Sequence, residues 1–205
     1  MKNKAMFWMM LLCGIPSLLI GQEIKLTNAS FEDVPNHSSV PYGWNNCGDV
    51  YESPPDIQPG FFEVEKMAQR GRSYVGLVTR DNDTWEGISQ KMSKPIVAGK
   101  CYKFNIYLAK SSKYISLSKS SMTKENFNQA VRLRIWGGNS HCHKKEILAE
   151  TGPINHPRNC MVCKISGNNE VIRITKPTHI SESINLFPHA QSCRPPERKP
   201  TSKKW

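Results

Sequence analysis

SYVGLVTRDNDTWEGISQKMSKPIVAGKCYKFNIYL, residues Ser73 to Leu108, reads as strand, polar turn, strand, Pro/Gly turn, strand. Tyr102, Phe104, Ile106 and Leu108 alternate with Lys103, Asn105 and Tyr107, the period-two pattern of a strand with one buried face. Three strands with tight links cannot bury their faces alone, so the stretch is part of a sheet-on-sheet domain. Its polar turn sets Asp81, Asn82 and Asp83 beside Trp85, a surface able to hold a sugar or a cation.

The same grammar extends outward. Val131, Leu133 and Ile135 alternate with Arg132, Arg134 and Trp136, and Glu146 to Ala149 is a weaker strand. Ile24 to Thr27 makes a short first strand, and Tyr114 to Leu117 another inside the long serine-rich stretch from Lys110 to Ala130. Between Val34 and Gly60, Pro35, Pro41, Pro54, Pro55 and Pro59 forbid a helix or a central strand. Trp44 in that region reads as the lid of the core, with an exposed sugar platform as the alternative. No repeat, heptad or amphipathic helix appears, which also points to an all-β chain.

The 205 residues suffice for one β-sandwich. Residues 1–21 have the form of a signal peptide: Lys2 and Lys4, then an apolar run from Met6 to Ile20 too short to span a bilayer comfortably. The protein is therefore expected to be exported, to the periplasm, the outer membrane surface or the exterior, with no transmembrane segment after cleavage. The net charge of +11 is uneven. Residues 22–150 carry 17 Lys+Arg against 14 Asp+Glu, and residues 151–205 carry 9 against 3. A basic tail suits nucleic acid or an anionic surface. An export signal argues against nucleic acid. Cys47, Cys101, Cys142, Cys160, Cys163 and Cys193 can oxidise outside the cytoplasm, though sequence cannot choose their pairing.

Several strings carry a resemblance. Asn28, Ser30, Phe31 and Glu32 followed by Gly43-Trp44 resemble the opening of carbohydrate-binding-module-like jelly rolls, the galactose-binding-like fold. GWNNCG, ESPPDIQPG, YVGLVTRDNDTWEGISQKMSKPIVAGKCYKFNIYLAKS, LRIWGG and KEILAE together resemble the N-terminal domain of cell-envelope proteins of the Bacteroidetes. Those proteins often carry an OmpA-like peptidoglycan-binding domain behind it. The resemblance implies a jelly-roll β-sandwich over residues 22–155. It also implies a structural calcium held by Glu32 and an Asp of the last strand, for which no matching Asp follows Glu150. No other cofactor is expected. After about His156 the family pattern stops. Residues 156–193 match poorly and offer one strand at 171–175, while 194–205 read as a disordered basic tail. The sandwich is thus expected to be incomplete at its C-terminal strands unless other residues supply the closing one.

The remaining constellations are bland. Asp81, Asp83 and Glu86 as a catalytic carboxylate set compete with a polar turn whose Asp and Asn bond their own backbone, and the turn prevails. His141-Cys142-His143 with Cys160 and Cys163 suggests zinc, but Cys142 would point away from both histidines on a strand. No nucleophile elbow, metalloprotease helix or phosphate loop is present, so no enzyme is expected. The sequence therefore predicts a non-catalytic module binding glycan through Asp81, Asn82, Asp83, Trp85 and Tyr107. The alternatives are a structural or adhesion module contacting envelope proteins, or a truncated remnant.

Overall fold

The computed structural model describes residues 23–154, 170–174 and 181–190. The signal-like segment, Cys160, Cys163, Cys193 and the basic tail lie outside the described residues. The regular elements are strands: β1 (Asn45–Asn46), β2 (Asp56–Gln58), β3 (Tyr74–Gly76), β4 (Ile88–Ile96), β5 (Tyr102–Ile106), β6 (Ile115–Leu117), β7 (Lys124–Asn126), β8 (Val131–Gly138), β9 (Glu146–Glu150), β10 (Glu170–Ile174) and β11 (Ser181–Ala190). The fold is all-β and every ladder is antiparallel.

The main sheet has five strands in the order β1-β4-β11-β8-β9, and β10-β5, β2-β3 and β6-β7 form two-stranded ladders. Ile88, Met92 and Ile96 from β4, Ile184 and Leu186 from β11, Leu133 and Ile135 from β8 and Leu148 from β9 point into one core. Ile106, Tyr102 and Phe104 from β5 and Val75 from β3 close it from the other side. The alternation seen in sequence is what puts these side chains on one face. Trp44 lids this core, its indole N–H donating to the Asn28 carbonyl at 3.1 Å and its ring 5.0 Å from that of Phe31. The link from β4 to β5 contains a four-residue turn closed by Lys100 N–H to the Val97 carbonyl, with Gly99 at φ +76° in the third position, where glycine is most at ease. Ile24 to Thr27, expected as a strand, runs beside β4 without forming a ladder. One backbone bond joins them, Ser93 N–H to the Lys25 carbonyl at 3.2 Å, and side chains add the rest: Lys25 N–H donates to Ser93 Oγ, and the Gln90 amide bonds both Thr27 N–H and the Thr27 carbonyl.

The C-terminal part corrects the expectation of an incomplete sheet. β10 occupies the strand expected near 171–175 and pairs with β5. β11 lies at the centre of the main sheet, with Leu186 opposite Ile88 of β4 and Ile135 of β8. It therefore supplies the pairing that joins β4 to β8. The segment SESINLFPHA hides this role. Ser183 and Asn185 alternate with Ile184 and Leu186, and Pro188 argues against a central strand. Pro188 falls past the end of the β4 ladder, where β8 alone flanks β11. Ser183 and Asn185 are buried because the 138–144 loop folds over that face. Ser183 Oγ donates to the Ser140 carbonyl at 2.6 Å, and Asn185 accepts from Cys142 N–H and donates to the His143 carbonyl. A disulfide from Cys47, just after β1, to Cys142 pins the loop down.

Candidate functional site

A cleft of about 210 Å³ opens where the turn at 80–84, the segment around Glu52 and the β6-β7 hairpin meet. Local chemistry builds each wall. Thr79 and Trp85 form a bridge, Arg80 N–H bonds the Thr84 carbonyl, and the Asn82 side chain accepts from the backbone N–H and hydroxyl of Thr84. This is the self-bonded Asx turn that Asp and Asn favour. Asp83 takes the left-handed position at φ 59°. Glu52 ends a turn closed by its N–H to the Asp49 carbonyl. Beyond β6, Ser118 Oγ donates to Asp81 Oδ2 at 2.6 Å and ties the hairpin to the 80–84 turn.

Behind the cleft lies a buried ionic network. Arg80 Nη2 pairs with Glu86 Oε1 at 2.5 Å and bonds Ser53 Oγ at 3.0 Å, while its Nε lies 3.6 Å from Glu52 Oε2. Glu52 also receives Lys119 Nζ at 3.0 Å and the Asn82 amide at 2.9 Å. Glu86 is fully buried. Its other oxygen accepts Val78 N–H at 3.0 Å. The Tyr114 hydroxyl donates to buried Asp56 at 2.6 Å, and Ser38 N–H bonds the second Asp56 oxygen.

Burial pushes the Glu86 carboxyl up to about 8 against the pull of Arg80, and the neighbouring Asp56 charge adds to the rise. Burial also raises Asp56, opposed by the bonds from Tyr114 and Ser38. Burial and both carboxylates raise Tyr114. At Glu52 burial acts upward, but Lys119, Asn82 and Arg80 outweigh it and hold the group below its ordinary value. The cleft lining thus pairs two cations, Arg80 and Lys119, with two acids, Glu52 and Asp81. Tyr114 and Phe127 supply an aromatic wall, their rings meeting edge to face, and Phe62 stacks behind Tyr114 at 4.9 Å.

Of the five residues expected to bind, Asp81 and Asn82 line this cleft. Asp83 is exposed at the turn apex. Trp85 is 37 % exposed and lies under Lys144 Nζ, 5.2 Å from its ring centre, in a cluster with Phe187 away from the cleft lining. Tyr107, 42 % exposed, follows β5, whose ladder partner is β10. Arg80, Glu52, Tyr114 and Lys119 were not expected. Arg80 adjoins the Asp-Asn-Asp turn, but the serine-rich stretch carrying Tyr114 and Lys119 offers no periodic signal.

Glu32, the expected calcium ligand, holds the backbone of the 71–73 segment. Its carboxylate accepts Arg72 N–H at 2.9 and 3.1 Å and the Ser73 hydroxyl at 3.4 Å. A Cβ at Gly71, where φ is +75°, would lie 1.7 Å from Oε1, so glycine admits the carboxylate. Among the described residues no three His, Cys, Asp or Glu side chains gather to hold a metal ion. Cys142 is in the disulfide, and His141 Nδ1 is 3.0 Å from the Asn45 amide. Among the described residues no helix is long and apolar enough to cross a membrane. No family model matches the chain, and no curated protein or solved structure is significantly similar to it.

Proposed function

We propose that the protein is an exported, non-catalytic module of jelly-roll type that binds glycan of the cell envelope or the extracellular space, with the cleft beside Arg80 as its site. The observation that carries this reading is the composition of that cleft. Planar polar side chains, Glu52, Asp81 and Asn82, face an aromatic wall of Tyr114 and Phe127. Sugars present both hydroxyl pairs and flat C–H faces, and such a lining meets both. The volume is below the usual range for drug-sized ligands, on the scale of a single sugar ring. The disulfide suits an oxidising compartment and supports export. Glu86 and Asp56 are spent on Arg80, Val78, Tyr114 and Ser38, which supports binding rather than hydrolysis.

The test is retention of the purified protein on an array of envelope and extracellular glycans, repeated with Asn82→Ala and Lys119→Ala. Binding that falls about tenfold or more in both variants supports the site. Retention on glycans that neither substitution weakens moves the site elsewhere, and retention on none removes the glycan reading.

One observation favours the adhesion alternative. Val34 and Tyr42 are largely exposed, yet Asp33 fixes both backbones by accepting their N–H groups at 2.8 Å. A rigid apolar pair of this kind suits a protein contact. Capture of an envelope protein that Tyr42→Ser abolishes, with glycan retention absent, would make this the better reading.

A further inference from the structure

Tyr51 precedes the cleft-lining Glu52, and its carbonyl bonds the cleft-lining Lys119. It is 86 % exposed and its neighbour Val50 is 87 % exposed, yet the backbone carrying them is held at several points. Tyr51 N–H donates to Asp49 Oδ1 at 2.8 Å, the Tyr51 carbonyl accepts Lys119 Nζ at 2.8 Å, and Glu52 N–H closes the turn onto Asp49. The same Lys119 ammonium pairs with Glu52 inside the cleft at 3.0 Å, so one side chain bonds both residues. On the facing hairpin Leu117 lines the cleft and is more than half exposed, and Met122 beyond it is more exposed still. The cleft therefore combines polar and aromatic walls with exposed apolar side chains beside it, Tyr51 among them on a fixed backbone.

Two features narrow the ligand. The interior holds one ring by volume, so a longer chain must extend beyond it. Its charges are also matched internally, since Glu52 engages both Arg80 and Lys119. An incoming carboxylate would have to displace Glu52 from both cations, whereas neutral hydroxyls add to the existing bonds without a charge conflict. Resting on the glycan reading of this cleft, we infer that the ligand is a neutral oligosaccharide: one ring sits in the cleft and the next stacks on Tyr51. Fixing the tyrosine backbone lowers the ordering cost of that second contact.

The experiment is titration calorimetry of the full chain with neutral glucose, mannose, galactose and N-acetylglucosamine series of one to four rings, with a galacturonic acid tetramer as counter-probe. Wild type should gain about tenfold in affinity from one ring to two. Tyr51→Ala should remove that gain and leave one-ring affinity within about twofold, while Tyr51→Phe should keep it. An unchanged unfolding midpoint would show that the exposed side chain was not structural. A two-ring gain that survives Tyr51→Ala overturns the platform and leaves the sugar cleft standing. Preference for the uronate tetramer overturns neutrality. Absence of binding at every length overturns the inference together with the glycan reading beneath it.

Discussion

The ring of Phe187 fills the space in which a side chain at Gly87 would begin. A Cβ built on Gly87 lies 2.3 Å from both Cδ1 and Cε1 of that ring. The glycine that ends the Asp-Asn-Asp-Thr-Trp-Glu turn is thus there for a contact 100 residues later in the chain. Gly87→Ala should destabilise the fold by at least about 1–3 kcal/mol, the usual cost of overpacking. Urea unfolding measures it, and Phe187→Leu in the same background should return part of the loss. A midpoint unmoved by Gly87→Ala would mean β11 does not sit against β4 in this register.

Asn185 is fully buried and bonded on both ends, accepting Cys142 N–H at 2.9 Å and donating to the His143 carbonyl at 3.0 Å. Truncation to alanine removes this donor from the His143 carbonyl and leaves Cys142 N–H only its longer bond to Ser89 Oγ at 3.2 Å. Asn185→Ala should cost on the order of 1–3 kcal/mol, the usual penalty for one orphaned group. Hydrogen exchange at the Cys142 amide should accelerate more than the global loss explains, because that bond is severed directly.

The Cys47–Cys142 bridge closes a loop across 95 positions of sequence. Cross-links of that span stabilise by roughly 2–5 kcal/mol, chiefly through the unfolded chain. Cys142→Ser together with Cys47→Ser should lower the thermal midpoint and leave the strand content by circular dichroism unchanged. Loss of the strand signal itself would assign the bridge a larger part in the fold than a clamp on one loop.

Acid should stabilise this protein near neutrality. Glu86 ordinarily titrates near 4.5 and rises to about 8 in the folded state, and Asp56 shifts upward with it. Between those values the folded chain keeps a proton that the unfolded chain has released. The stabilisation is complete below about 4.5 and disappears as pH rises through about 8. Arg80 opposes the trend without reversing it. Unfolding free energy should therefore fall from pH 5 to pH 9. Glu86→Gln keeps an acceptor for Val78 N–H and removes the titration, so it should flatten the slope. An equally steep slope in that variant would place the responsible group elsewhere.

Strand alternation made β5 and β8 legible, because each keeps one face in the core and lets period two survive in the residue order. β11 was not legible for the opposite reason. Both its faces are buried, one by Ile184 and Leu186 against the core and one by Ser183 and Asn185 under a loop. Polar residues satisfied by loop backbone look like solvent-facing residues in sequence. The cleft was half legible. Asp81 and Asn82 announced themselves as a turn, whereas Glu52, Tyr114 and Lys119 arrive from segments with no periodicity and meet only through tertiary packing. Trp85 and Tyr107 attracted notice as exposed aromatics, but exposure carries no information about which surface they share.

The central position of β11 also sets an order of events. β4 and β8 are made early but touch no common neighbour until Ser181–Ala190 arrives between them. Until then each offers an open inner edge, and the ladder that joins them demands contacts far apart in sequence on the β4 side, from Ser181 opposite Ile96 to Leu186 opposite Ile88. Such non-local closure is slow and leaves sticky edges waiting. The β1-β4 and β8-β9 ladders can form without β11, but nothing else joins the two halves of the sheet. A chain that stops short of Ser181 leaves those two halves with open edges, the kind of surface that invites aggregation.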